Sequence, residues 1–231
     1  WPMFGGIDFG AWRFSFILAT ADRAKRLHII DELFSQQETL TARAKSIDAL
    51  LSKYDAPNTT PIWGDSANPQ DILEINQAFR NMESKYRVRA VSKTSGEGKP
   101  YRRACVERLQ DLLGRRSLLF NRAMGRSMMW YKGASVASQG RQMTGSRLMW
   151  EIRQWRYPEK RDGKAQTQDP DDNTADGADA IAGLRYLVMS WWKGARYEAP
   201  DEKPNRNRDT GLEETFDRIA KQQQKIQRYP F

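Results

Sequence analysis

Three apolar runs joined by short turns fill the first thirty-three residues, and no other stretch of the chain restricts its fold so tightly. Residues 3–9 are short and apolar, and Gly10-Ala11 breaks the run. Residues 12–19 alternate as Trp12, Phe14, Phe16 and Leu18; after the polar turn 20–26, residues 27–33 carry His28, Ile29 and Ile30. Runs of this length with such short turns predict an antiparallel meander.

The pattern then changes period. Residues 37–54 place Leu40, Ala44, Ile47, Leu50 and Leu51 at helical spacing. A very short strand, PIWGD at 61–65, leads to a helix over 69–86 with Pro69 near its start and Ile72, Ile75, Ala78, Phe79 and Met82 facing inward. A strand at 87–91, a helix at 101–113 ended by Gly114, and a strand at 117–121 follow. Residues 123–145, rich in Gly, Met and Ser with no steady period, read as a mobile hairpin or loop. Helices are predicted over 146–157 and 174–193, the latter with Ala178, Ile181, Leu184, Leu187 and Val188 on one face. There is no internal repeat. The order predicts an α/β fold, a mixed central sheet flanked by helices, over residues 1–194. Residues 195–231 read as a polar linker and tail, with a short polar helix over 212–228.

Composition narrows the chemistry. Cys105 is the only cysteine, which excludes an internal disulfide and a cysteine-rich zinc site. His28 is the only histidine; it sits in a strand that reads as core, and no G-x-S-x-G turn accompanies it. Cys105, within RRACVERL, reads as packing rather than as a nucleophile. No apolar run reaches bilayer-spanning length, and the first residues lack the basic-then-apolar layout of a signal peptide. Any catalysis therefore runs on carboxylates, lysines and arginines.

The formal charge of +9 is unevenly spread. Residues 80–164 carry 21 basic and 7 acidic side chains, a net of +14, between segments of −3 and −2. Trp130, Tyr131, Trp150 and Trp155 interleave with these arginines, and aromatic faces stack on bases. A nucleic acid is the partner this pattern fits best; the bland alternative is a solvated basic surface.

Acidic residues stand at the ends of apolar elements. Asp8 lies inside GGIDFG, Asp65 closes PIWGD, and Asp176 and Asp179 open the late helix three residues apart, on one face of its first turn. Should strands one and four be parallel neighbours, Asp8 and Asp65 end side by side, where open sheets gather functional groups. Close carboxylates repel unless a cation holds them, and a pair of Mg²⁺ or Mn²⁺ ions does so in two-metal phosphodiester hydrolysis. Asp65 and Asp176 are equally readable as helix caps. Asp8, inside an apolar strand, is harder to assign to structure alone.

GIDFG, IIDELF, WGDSANPQDI and DDNTADGADAIAGLRYL together resemble the nuclease domain of phage large terminase subunits, the DNA-packaging motors, over about residues 3–192. The resemblance implies an RNase H-like fold and cutting of concatemeric double-stranded DNA with divalent metals. It makes Asp8, Asp65 and Asp179 the metal ligands. Many relatives carry His where this chain has Asp176, and relatives run DALRY unbroken where Ile181-Ala182-Gly183 intervene here; which of Asp176 and Asp179 is the closer ligand stays open. Lys93 matches a position implied to contact phosphate. Residues 122–147, with Arg126, Lys132 and Arg141, are the candidate DNA-access segment. The resemblance further implies the portal protein and the small terminase subunit as partners, and the host cell cytoplasm as location. It also implies an N-terminal ATPase domain: no GxxxxGK[ST] occurs here, so no ATP site is expected in this chain, and the start within a strand favours an excised domain. A resolvase- or integrase-like nuclease and a non-catalytic nucleic-acid-binding module are the rival readings.

Overall fold

The computed structural model describes residues 1–10, 12–93, 100–124, 129–131, 142–155, 170 and 178–194. Among these, strands β1 (Met3–Phe9), β2 (Arg13–Ala21) and β3 (Leu27–Gln36) form the antiparallel meander that the opening apolar runs predict. Strand β4 (Ile62–Gly64) pairs in parallel with β1, β5 (Val88–Ala90) in parallel with β4, and β6 (Leu118–Phe120) in parallel with β3. The mixed sheet has the order β5-β4-β1-β2-β3-β6. Residues β7 (Met129–Tyr131) and β8 (Gln142–Thr144) pair as a separate antiparallel ribbon within the segment read as a hairpin or loop.

Side-chain alternation along the strands sorts the helices into two layers. Phe14 and Asp31 meet α1 (Leu40–Lys53): the guanidinium of Arg43 lies 5.1 Å from the Phe14 ring, and Lys53 and Tyr54 both bond the Asp31 carboxylate. Helix α2 (Pro69–Asn81) packs beside α1. It ends at Asn81, short of the predicted 86, because Glu83 turns left-handed with φ 56° and Ser84 N–H closes back on Phe79 O. On the opposite face Ser15, Ile17 and Glu32 meet α4 (Arg147–Gln154) and α5 (Asp179–Gly194), with α3 (Tyr101–Gly114) packed against α5. Ile17, Ile29, Leu109, Leu112, Leu118, Leu148, Ile181, Leu184, Leu187 and Val188 make one core there. Each fully buried aliphatic side chain of this kind contributes about 1.5–3 kcal/mol. Among the described residues no helix is long and apolar enough to cross a membrane.

Helix α5 is pressed against β1 through a glycine pair. A Cβ built on Gly6 would run into the carbonyl oxygen of Gly183 and lie 2.7 Å from Leu187 Cβ, whereas one on Gly183 would meet Ser15 Oγ at 3.1 Å and Gly6 O at 3.3 Å. Asp179, Gly183 and Leu187 recur every four residues, so the stripe facing the sheet carries Asp179 at its top. Gly183 of the departure Ile181-Ala182-Gly183 thus lies on the contact face of α5, and the missing side chain of Gly6 lets that face lie close.

The start of α5 corrects the sequence reading. The helix begins at Asp179 rather than at 174, because Ala178 has φ 53°, outside the right-handed helical region. Asp176, expected on the same first turn, lies outside the described residues. Two buried glutamates finish the helix starts. Glu32, 2% exposed, accepts the Leu148 N–H at 2.8 Å, together with bonds from Arg147 N–H and the Ser146 hydroxyl. Glu151, fully buried, accepts the Ile181 N–H at 2.9 Å. These satisfy N–H groups that a helix leaves without internal partners.

Two outcomes follow from this packing. Gly6→Ala should lower unfolding stability by about 2 kcal/mol or more through overpacking against backbone, while Gly183→Ala should be near neutral, the strain being offset by about 1 kcal/mol of helix propensity; urea unfolding of both variants measures the difference. Burial raises the Glu32 carboxyl to about 7 from its ordinary 4.5. The folded state therefore binds more protons than the unfolded chain between those values, and stability falls as pH rises through that window. Melting temperatures from pH 5 to 8 should decline, and Glu32→Gln should flatten the decline; an unchanged slope would contradict the assignment.

Candidate active site

Parallel pairing of β1 and β4 sets Ile7 opposite Gly64, so the next residue of each strand is an aspartate. Asp8 and Asp65 leave neighbouring strands side by side at their carboxyl ends, as the sequence reading required. On its other flank Asp8 is in register with Ser15 of β2. The Ser15 hydroxyl donates to the carbonyl oxygen of Asp179 at 2.7 Å, which ties the first residue of α5 to the strand next to Asp8. Arg13, one turn of the strand earlier, sets Nε 3.3 Å from Asp179 Oδ2. Asp8 and Asp65 thus leave one end of the sheet together, and the backbone of Asp179 is tied to the strand beside Asp8.

Asp65 is held from three directions. Its Oδ1 accepts the Ala67 N–H at 2.8 Å and faces Lys93 Nζ at 2.5 Å, and its Oδ2 accepts the Tyr186 hydroxyl at 2.8 Å. Burial alone would raise this carboxyl; the bonds from Ala67, Lys93 and Tyr186 outweigh it and hold Asp65 below the usual range, ionised. The N-cap of α2 is Asn68, so Asp65 is not the cap of that helix. Tyr186 stays protonated: burial, then the charges of Asp8 and Asp65, push its hydroxyl far up. Tyr186 is therefore a fixed donor that links α5 to β4.

Lys93, expected to contact phosphate, lies against Asp65 with its side chain 39% exposed. Arg126, Lys132 and Arg141 lie outside the described residues, as does Asp176. His28 is buried and bonds Asp22 at 3.0 Å, and Cys105 is buried in α3; neither approaches this edge in any described contact.

Sequence reasoning missed the groups that brace the aspartates: Arg13, Ser15, Arg147 and Glu151. Ser15 alone gave a signal, as a polar residue in the otherwise apolar run FSFILA. Arg147 and Glu151 are spaced i,i+4 and look like an ordinary solvated helix pair, yet both are fully buried and bonded at 2.6 Å.

The donor chemistry of Asp8 and Asp65, two carboxylates leaving paired strands, suits a hard divalent cation. Among the described residues no three His, Cys, Asp or Glu side chains are gathered closely enough to hold an ion. Asp179 instead engages Arg13, and Asp65 engages Lys93, so two side-chain cations balance the acidic edge.

No protein-family model matches the chain, and no curated protein matches its sequence. Solved structures do. The nuclease domain of the large terminase of bacteriophage SPP1, with bound Mn, superposes with a TM-score of 0.51 at 16% identity, covering 82% of this chain and 86% of that one. The large terminase of bacteriophage HK97 superposes with a TM-score of 0.53 at 8% identity, covering 82% of this chain and 39% of that one. The fowlpox virus Holliday junction resolvase reaches a TM-score of only 0.38 and carries no weight here. The sheet order, the helical layers and these two superpositions agree: the chain has the RNase H-like α/β fold of large-terminase nuclease domains.

Proposed function

We propose that the chain is a divalent-metal-dependent endonuclease that cuts concatemeric double-stranded viral DNA during genome packaging. The observation that carries this reading is the adjacency of Asp8 and Asp65 at the ends of parallel strands, with Asp179 anchored to the neighbouring strand through Ser15. The fold shared with large-terminase nuclease domains, one of them with bound Mn, supports it.

In this reading Asp8, Asp65 and Asp179 would hold the ions, two Mg²⁺ or Mn²⁺, with Asp176 as a further candidate ligand. Bound divalent ions supply an activated water and steady the leaving oxygen of a phosphodiester. The chain's own residues set up that chemistry. Tyr186 orients Asp65 by a bond to Oδ2, and Lys93, partly exposed, neutralises Asp65 Oδ1. Ser15 and Arg13 keep Asp179 at the edge. Arg126, Lys132 and Arg141, from the +14 segment, supply phosphate contacts whose strength falls with salt as counterions are released. The portal protein, the small terminase subunit, an ATPase domain and the host cell cytoplasm belong to the same proposal.

The test is cleavage of supercoiled plasmid in Mn²⁺ or Mg²⁺, with a four-way DNA junction in parallel. Nicked and linear plasmid should appear with metal and vanish in EDTA. Asp179→Asn should cut at least about 100-fold more slowly, a loss of about 2.7 kcal/mol or more of transition-state stabilisation, while DNA binding holds or strengthens because a negative charge facing phosphate is gone. Intact plasmid across a Mn²⁺ titration of folded protein would defeat the proposal, and strong preference for the junction would turn it towards a resolvase-like nuclease.

A further inference from the structure

Arg147 is the largest fully buried side chain among the described residues. Taking a guanidinium out of water is unfavourable unless it is well paired, and an apolar pair of the same volume would often be as stable. Stability alone therefore gives no reason for its presence. Its contacts give one. Nε donates to Glu151 Oε1 at 2.6 Å, and the planar head lies 4.7 Å from the rings of both Phe34 and Trp150. Nη2 stands 4.0 Å from Asp179 Oδ2. The second oxygen of Glu151 accepts the Ile181 N–H in the first turn of α5. Both members of the pair thus end on the start of α5, one at its backbone and the other at its first side chain.

The Asp179 side chain keeps 13% exposure, yet its Oδ2 has almost none. Arg13 approaches the same oxygen at 3.3 Å. Oδ2 is therefore turned inward between two guanidinium groups.

We propose that Arg147 and Glu151 are positioning residues for Asp179: together they fix the first turn of α5 and hold the Asp179 carboxylate by its inward oxygen. This rests on the reading of Asp179 as a cation ligand. Partners that orient metal-ligating side chains change affinity or activity by about 10–100-fold when removed.

The full chain with Arg147→Met and Glu151→Gln together tests it, because that exchange removes both charges, conserves volume and leaves an amide oxygen for the Ile181 N–H. Circular dichroism and thermal melting report folding, calorimetric titration reports the Mn²⁺ Kd, and plasmid cleavage separates kcat from the KM for DNA. The expected result is a native-like melt, a Mn²⁺ Kd raised about ten-fold or more, kcat lowered about as much, and a KM within two-fold. Arg147→Lys, which keeps the charge without the planar fork, should fall between. A folded double variant with Mn²⁺ Kd and kcat within two-fold of the parent overturns the proposal. Should the double variant not fold, Arg147→Lys decides, and an unchanged Kd overturns it. Asp179→Asn run alongside separates the two levels. If it loses Mn²⁺ binding while the double variant does not, only the positioning role falls; if Asp179→Asn itself binds and cuts normally, the functional reading falls as well.

Discussion

The contact between Gly6 and Gly183 decides where everything else at the acidic edge can stand. A β-strand and a helix normally keep apart by the thickness of their side chains, but here the carbonyl of Gly183 rests against Gly6 where a methyl group would not fit. That approach lets Ser15 reach the Asp179 carbonyl and lets Tyr186, two turns further along α5, reach Asp65 on β4. One helix thereby braces two strands of the parallel–antiparallel junction, β2 on one side of β1 and β4 on the other. The aspartates are carried by three different elements, and α5 is the piece that keeps those elements in register.

Charge is managed at this edge in two ways. On the solvent side Lys93 and Arg13, both partly exposed, offset Asp65 and Asp179. Behind them, Glu32, Arg147 and Glu151 form a buried set that bonds the starts of α4 and α5. Burial pushes the Glu151 carboxyl up, with Arg147 and the Ile181 N–H pulling it the other way and Asp179 adding to the rise. A buried set of this kind adds little net stability but leaves few alternative arrangements, since moving Glu32 Oε2, Arg147 Nε or either Glu151 oxygen would lose a bond in a low-dielectric interior.

Much of the sheet was legible because its signals are local. The meander follows from alternation in Trp12–Leu18 and from short polar turns, and β4 follows from the isolated apolar run before Asp65. The adjacency of Asp8 and Asp65 was legible only conditionally, since strand neighbours 57 residues apart in the chain must be paired by topology rather than by pattern. The start of α5 was not legible. Ala178 is a good helix former by type, yet it takes φ 53°, and Glu151, 30 residues before Ile181, bonds the first turn that follows it. Arg147 and Glu151 were hidden for the same reason: an i,i+4 ion pair reads as surface, and only the packing of Phe34, Trp150 and α5 around it makes it interior. The glycine of Ile181-Ala182-Gly183 looked like a departure and is instead the contact surface of the helix.

Anomalous diffraction from crystals soaked in Mn²⁺ tests the account most directly, because it locates a cation without depending on cleavage. The account predicts a manganese peak about 2–2.5 Å from carboxylate oxygens of both Asp8 and Asp65, with Lys93 Nζ displaced from Asp65 Oδ1. An edge that gives no peak at saturating Mn²⁺, with Lys93 still bonded to Asp65, would contradict it.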